Sequence, residues 1–117
     1  MRMRAIVIGV LGLVVAAGDA LAAEHKGIRF WNLTTQTQTE VSLAPAGTGN
    51  FGPNQCLNDK DKSVDHDERL SIVGIAPGRY DIRLRDAKGR VCYARDIAIK
   101  ADAVFSLRDN DLKDCSP

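Results

Sequence analysis

The residues best suited to chemistry lie in the segment from Asn58 to Glu68, where oxygen-bearing side chains alternate along the chain. Hard cations such as calcium take about six to eight oxygen ligands, so this alternation indicates a candidate calcium loop. Val64 stands where an EF-hand needs glycine, and Leu70 where it needs a bidentate glutamate, which argues against a true EF-hand. The candidate ligands of an irregular calcium site are Asp59, Asp61, Asp65 and Asp67, with Asp109 and Asp111 as additional candidates.

The same segment has a second interpretation, which the sequence favours. Lys60, Lys62 and Arg69 lie among the carboxylates and offset their charge. A loop of mixed charge is typical of a solvated surface that binds no metal. Calcium is therefore kept as the alternative, and no cofactor is the primary expectation.

Catalytic residue patterns are weak in this chain. His66 stands alone in its segment, whereas a zinc site needs three or four converging ligands. Cys56 as a nucleophile would need an activating base, and no serine has the sequence context of a nucleophile elbow. We therefore expect a protein that is not an enzyme.

Three cysteines, Cys56, Cys92 and Cys115, indicate one disulfide and one remaining thiol. We favour Cys92 with Cys115, because a last strand returning antiparallel from Asp102 would bring the C-terminal tail beside the strand of Cys92. Cys56 lies in a loop of unknown path and stays open as a partner for either cysteine.

Two aromatic residues are candidates for a partner surface. Trp31 alternates away from its neighbour Phe30, so it lies either on the outer face of a sheet or, as we favour, at the rim of the core. Phe51 stands in a stretch rich in glycine and asparagine. Exposed aromatic side chains in such positions often contribute to protein interfaces.

Residues 1–22 have the pattern of a cleaved secretory signal peptide. Arg2 and Arg4 precede an apolar run from Ala5 to Ala17, and Ala20-Leu21-Ala22 forms a small-residue cleavage site. The run is shorter than the roughly 20 residues of a spanning helix, so we expect no stable membrane insertion after cleavage. A periplasmic or secreted location follows.

The expected mature domain, residues 23–117, is close to neutral. Cleavage removes two of the sixteen basic residues and one of the fifteen acidic ones, which leaves fourteen of each. A neutral exported domain lacks the basic field that nucleic-acid binding requires, so nucleic acid is excluded as a partner.

Hydrophobic periodicity in this domain is close to two, which predicts strands rather than helices. We expect an all-β fold, a single small antiparallel β-sandwich of six to seven strands. Thr34 to Thr37 is predicted to be a hairpin connection. Val91, Tyr93, Ile97 and Ile99 are predicted to share one face of a strand. The expected strands are Ile28–Leu33, Gln38–Leu43, Arg69–Ile75, Arg79–Arg85, a returning strand from Val91, and Ala103–Leu107.

The segment Gly74 to Leu84 resembles the turn-and-strand signature L-x-P-G-x-Y-x-V-x-V of transthyretin-like and carboxypeptidase-regulatory-like β-sandwich domains. That resemblance implies a fold and no activity. More loosely, the chain is similar to small exported proteobacterial proteins of unknown function. This second likeness rests on Asn32-x-Thr34, Ala44-Pro45, Phe51-Gly52 and Tyr80-Asp81.

From the sequence we expect a noncatalytic exported binding or accessory protein. Its 45–68 region would contact an envelope component, either another protein or a polymer. A calcium-binding β-sandwich module is the first alternative, and an enzyme of unknown class is the second.

Overall fold

A computed structural model describes residues 26–117, so the predicted signal peptide lies outside the described residues. The chain forms seven strands, within the expected six to seven; the last of them, at 113–116, is not among the six strands named from the sequence, and the predicted strand 69–75 ends at Ile72. Within residues 26–117, no helix is long and apolar enough to cross a bilayer. The strands are β1 Ile28–Leu33, β2 Gln38–Pro45, β3 Arg69–Ile72, β4 Gly78–Asp86, β5 Val91–Ile99, β6 Val104–Arg108 and β7 Lys113–Ser116.

The strands form two sheets, with order β3-β1-β6 in one and β2-β4-β5-β7 in the other. The predicted all-β sandwich is confirmed. Most neighbouring strands are antiparallel, but β6 pairs with β1 in parallel. This pair arises because β6 joins the first sheet instead of returning beside β5.

The core lies between the sheets and consists of the inward residues of each strand. Alternation buries Ile28 and Phe30 of β1 and Ile82 and Leu84 of β4 in one apolar cluster. Burying one large apolar side chain contributes roughly 1.5–3 kcal/mol, so these faces dominate the stability of the fold. The buried cluster comprises Ile28, Phe30, Val41, Leu43, Cys56, Val64, Leu70, Ile72, Ile82, Leu84, Ala94, Ile99 and Leu107.

The predicted hairpin at Thr34 to Thr37 is wrong. β1 and β2 belong to different sheets, so this stretch crosses from one sheet to the other. Thr34 is fully buried in the crossover, where its backbone N–H and hydroxyl both donate to Asn32 Oδ1, at 3.0 and 2.6 Å. Hydrogen bonds inside the sandwich thus replace those of a hairpin.

The predicted face of β5 is wrong in its first half because of a β-bulge. Ile82 pairs with Ala94 but Tyr80 pairs with Ile97, so two residues of β5 lie opposite one residue of β4. Asp96 in the bulge has a φ of 57°. An extra residue moves later side chains to the other face. The core therefore receives Cys92 and Ala94 before the bulge and Ile97 and Ile99 after it, whereas Val91 and Tyr93 face outward.

The predicted pairing of Cys92 with Cys115 is confirmed, with the two Cα atoms 4.1 Å apart. The route differs from the prediction. β6 leaves for the other sheet, and the short strand β7 returns antiparallel to β5. Cys56 is buried and unpaired.

We predict that the double variant Cys92→Ala/Cys115→Ala loses about 3 kcal/mol of unfolding free energy in urea, because the disulfide closes a loop with a sequence separation of 23. A reducing agent should destabilise the wild type by a similar amount and leave the double variant unchanged. Equal stability of the oxidised wild type and the double variant would contradict this role.

Candidate functional site

The 45–68 segment joins β2 to β3, which are edge strands of the two different sheets. Its first part runs along the free edge of β2. Gly52 donates its backbone N–H to Leu43 O at 2.9 Å. The side chain of Asn54 accepts from Val41 N at 3.1 Å and donates to Thr39 O at 3.0 Å. The edge of β2 is thereby occupied.

A 3-10 turn at Gln55–Asn58 then covers the edge of β3. Gln55 donates Nε2 to Val73 O at 2.9 Å, and its Oε1 accepts from Val73 N at 3.0 Å. Asn58 donates Nδ2 to Ser71 O at 2.9 Å. Open sheet edges invite pairing with other chains, and here amide side chains take the place of a neighbouring strand.

Two buried residues fasten the segment to the core. Cys56 and Val64 are nearly inaccessible to solvent, and Val64 exchanges backbone hydrogen bonds with Gln38 at 2.9 and 3.0 Å. Burial raises the pKa of the Cys56 thiol to about 11, and the negative charges of Asp59 and Glu40 add to this shift. The thiol is therefore protonated at neutral pH, which suits packing and not nucleophilic attack.

Asn32, at the end of β1, holds the second half of the segment. Its side chain is fully buried and donates to Val64 O at 2.9 Å. Its backbone donates to Glu68 O at 2.9 Å and accepts from Asp67 N at 2.6 Å. His66 donates Nδ1 to Thr34 O at 2.8 Å beside this network. The 62–68 stretch is thus tied to the crossover between the sheets.

Asp81 of β4 fixes the start of the segment from beneath. Its carboxylate accepts from Gly47 N at 3.0 Å and from Asp96 N at 2.9 Å, and Arg95 lies 3.6 Å away. The loop covers the Asp81 side chain, which is therefore buried. The two backbone N–H groups, helped by Arg95, lower the pKa of Asp81 below its usual value.

An apolar groove of about 360 Å³ opens where the segment meets the end of β3. Leu57 and Val73 flank it, each with 58% of its surface exposed. Leu43, Pro53 and Ile75 contribute to its lining. The sequence analysis did not predict this groove. Leu57 was a usable signal for it, because a leucine isolated in a polar loop is a candidate contact residue.

Phe51, within the 45–68 segment, lies half-buried on the outer face of the second sheet. Its ring centroid is 5.8 Å from that of Tyr93, and the guanidinium of Arg83 lies 4.6 Å from the ring centroid. These contacts place the aromatic ring over β4 and β5. Phe51 therefore anchors the segment to the sheet.

Trp31 lies on the outer face of the first sheet and not at the core rim. Its indole Nε1 donates to Asp67 Oδ1 at 3.0 Å, and Arg69 lies 4.2 Å above the ring centroid. Trp31 and Phe51 are thus on opposite faces of the sandwich, and the structure does not bring these two candidates together.

Three of the four candidate calcium ligands, Asp59, Asp65 and Asp67, have separate local partners for their carboxylates. Asp59 accepts from Asp61 N at 2.9 Å, and Asp65 accepts from Thr37 Oγ1 at 2.8 Å. Asp67 is held by Trp31, as described above. Within residues 26–117, no group of three or more His, Cys, Asp or Glu side chains is arranged to hold a metal ion. The calcium hypothesis stays a prediction.

The additional candidates near the C-terminus also have local partners. Asp109 accepts from Thr35 N at 3.0 Å, and Asp111 accepts from Arg108 N at 2.7 Å. These bonds hold a second 3-10 turn, Asp109–Asp111, between β6 and β7. The two carboxylates therefore act here as structural acceptors.

Comparison with known protein families, characterised proteins and solved structures finds no match to this chain. The resemblance of Gly74 to Leu84 to transthyretin-like domains stays a prediction.

We predict that Asp67→Ala destabilises the protein by about 1 kcal/mol, because Trp31 loses its hydrogen-bond acceptor. The loss should be the same with calcium and with a chelator, and tryptophan fluorescence should change in both. Thermal unfolding with calcium and with a chelator measures the loss of stability. A calcium-dependent stabilisation of the wild type that Asp67→Ala abolishes would favour the metal site instead.

We predict that Asp81 contributes to acid sensitivity. Its folded pKa is lowered, so its stabilisation is present above the unfolded pKa of about 3.9 and is lost as the pH falls through the folded value. Asp81→Asn should be less stable than the wild type at neutral pH and should lose less stability below about pH 4. Urea unfolding from pH 7 to pH 2 tests this, with Asp61→Asn as a control for net charge. Parallel pH profiles for the wild type and Asp81→Asn would contradict it.

Proposed function

We propose that this chain is an exported, noncatalytic binding protein that docks another envelope protein on its 45–68 segment. The partner inserts an apolar side chain into the groove between Leu57 and Val73. This proposal narrows the expected envelope component from a protein or polymer to a protein with an apolar anchor.

The exposure of Leu57 and Val73 carries the proposal. Both residues flank one groove, and each leaves more than half of its surface in water, at a cost that burial by a partner would relieve. Buried apolar anchors in pockets dominate the affinity of many protein interfaces. Two such residues on a fastened segment support a docking surface.

The edges of β2 and β3 are already hydrogen-bonded to the 45–68 segment, which supports docking through side chains instead of the addition of a partner strand. The backbone groups at Val41, Val73 and Ser71 already have amide partners from the segment. A partner strand would have to displace them. The apolar groove needs no such displacement.

A stretch of mixed charge follows Asn58, the last groove-lining residue of the 45–68 segment. Asp59 and Asp61 carry negative charge, and Lys60 and Lys62 carry positive charge in the same stretch. Protein interfaces commonly surround an apolar centre with polar residues of this kind. Mixed charge beside the groove along the chain supports a protein partner better than a uniformly charged polymer.

Export is supported by two independent features. Residues 1–22 have the signal-peptide pattern, and the Cys92–Cys115 bridge suits an oxidising compartment. The raised pKa of Cys56 supports a structural thiol and thereby a role without nucleophilic chemistry.

Site-specific photo-crosslinking in intact cells tests the proposal. A photoreactive residue at position 57 should give one discrete protein adduct. The same residue at position 104 is the control, since Val104 is also exposed, at 38%, but lies on β6. A photoreactive residue at 57 that yields no adduct, or the same adducts as at 104, would overturn the proposal.

The identified partner then allows an affinity measurement. We expect Leu57→Ser to weaken binding by about tenfold, because truncating an interface anchor costs more than about 1 kcal/mol. Val104→Ser should leave the affinity unchanged. Matched melting temperatures for the two variants would assign the loss to the interface. Equal binding by the wild type and Leu57→Ser would contradict the assignment of the anchor.

A further inference from the structure

The side of the sandwich opposite the 45–68 segment has two edge strands, β6 in the first sheet and β7 in the second. β7 is a poor template for another strand, because it is short and charged and Asp114 within it has a φ of 53°. β6 differs from it, since its sequence Val-Phe-Ser-Leu-Arg has its charge only at the last residue. The edge of β6 therefore lacks the protection that β2, β3 and β7 have.

The register with β1 identifies the backbone groups of β6 that point away from the sheet. Arg29 donates its backbone N–H to Ala103 O at 3.1 Å, in line with the parallel pairing of β1 and β6. Successive residues of a strand direct their backbone groups to opposite sides, so Ala103 and every second residue after it face β1. Val104, Ser106 and Arg108 therefore direct their N–H and C=O groups to the open edge.

Val104 and Ser106 leave these groups available to a partner strand. Within residues 26–117, neither backbone has a hydrogen-bond partner on the open side. Both residues are exposed, Val104 at 38%. The third residue differs, because Arg108 N already donates to Asp111 Oδ2 at 2.7 Å. Extended partners add to open edges of this kind through main-chain hydrogen bonds.

An antiparallel copy of β6 matches this pattern of groups. A hydrogen-bonded pair in an antiparallel ladder needs two residues that direct their N–H and C=O groups to each other. With a two-fold axis through Phe105, Val104 lies opposite Ser106 of the second copy, and the reverse pair forms by symmetry. An axis through Ser106 would instead bring Val104 opposite Arg108, whose N–H is occupied. The first register is therefore favoured.

Side chains near this axis also favour a second copy. Phe105 is only partly buried, with its ring centroid 5.4 Å from that of Phe30. On the axis, the Phe105 side chains of the two copies belong to a pair without hydrogen bonds, in which side chains approach most closely. Arg108 forms no ion pair among the described residues, and it comes beside the turn that contains Asp102 of the second copy. Opposite charges thus meet at both ends of the paired strands.

We propose that β6 is a dimerisation edge, where a second copy of this chain adds its own β6 antiparallel about a two-fold axis through Phe105. The first sheets of the two copies then form one continuous sheet. A two-fold contact uses each β6 edge once, so the assembly stops at two copies. The groove between Leu57 and Val73 lies on the other side of each sandwich, so this inference is independent of the proposed protein partner.

Sedimentation equilibrium of the oxidised protein tests for the dimer. Interfaces that bury less than about 1,200 Å² are weak, so the measurement should extend to about 1 mM protein. We expect a reversible equilibrium between monomer and dimer, with no larger species. Amide hydrogen exchange then identifies the surface. The N–H groups of Val104 and Ser106 should become protected as the dimer forms, whereas that of Phe105, which faces β1, should be protected at every concentration.

Ser106→Pro blocks the edge and leaves the bonds to β1 in place. Proline removes the N–H that points to the open edge, a group that β1 does not use, and edge strands tolerate proline at such positions. We expect this variant to associate at least tenfold more weakly than the wild type. Ser106→Ala is the matched control, because it keeps the N–H and should dimerise as the wild type does.

A pair of double variants tests the register without proline. Val104→Glu/Ser106→Glu places like charges opposite each other across the axis, which destabilises paired strands. Val104→Glu/Ser106→Lys places opposite charges there, so we expect it to dimerise about tenfold more tightly than the first. Both double variants change the same exposed positions, and matched melting temperatures of the monomers would assign the difference to pairing.

Several results would overturn the proposal. A protein that stays monomeric at about 1 mM would exclude the dimer. A dimer that Ser106→Pro leaves unchanged, or that Leu57→Ser disrupts, would assign another surface. A photoreactive residue at position 104 that crosslinks a different protein in cells would assign the edge to another occupant. Since Leu57→Ser should dimerise normally, failure here is distinguishable from failure of the proposed docking surface.

Discussion

The feature on which the rest of this structure depends is the use of amide side chains to complete two sheet edges. Asn54 occupies the edge of β2, while Gln55 and Asn58 occupy the edge of β3. Because consecutive residues reach both sheets, the chain between them holds the sandwich closed on that side. The same bonds fix the backbone around Leu57, which therefore points into solvent from a rigid support. Closure of the sheets and presentation of the groove are consequences of one set of contacts.

A second polar network connects the segment to the opposite end of the sandwich. Asn32 is buried between the sheets and bonds to the crossover at Thr34 and to Val64 of the segment. Burying an amide is costly unless its hydrogen bonds are satisfied, and here both ends of the side chain have partners. Gln38 follows the crossover and is equally buried, but within residues 26–117 its Oε1 has no hydrogen-bond partner.

Local patterns predicted the strands well because alternation reports burial directly. β1 has the bounds predicted from Ile28 to Leu33, and the Cys92–Cys115 pairing was predicted, although the strand expected to bring the two cysteines together joins the other sheet. Register and contacts between segments distant in sequence were harder to predict. Nothing near Asp96 predicts an extra residue in β5, so the face of Tyr93 was assigned wrongly. The groove was missed because Leu57 and Val73 come to line it through the hydrogen bonds between Gln55 and Val73, just after β3, and no sequence spacing reveals that contact.

Native-state hydrogen exchange of the backbone amides tests whether side-chain amides close the edges of β2 and β3 and make the 45–68 segment rigid. If they do, we expect the amides of Val41, Gly52 and Val73 to be protected from exchange almost as well as those of core strand residues. Asn54→Ala should remove protection at Val41, because no neighbouring strand on that side offers its N–H another acceptor. Exchange of these three amides at the rate of an unstructured peptide would contradict the account, because the groove would then have no fixed support.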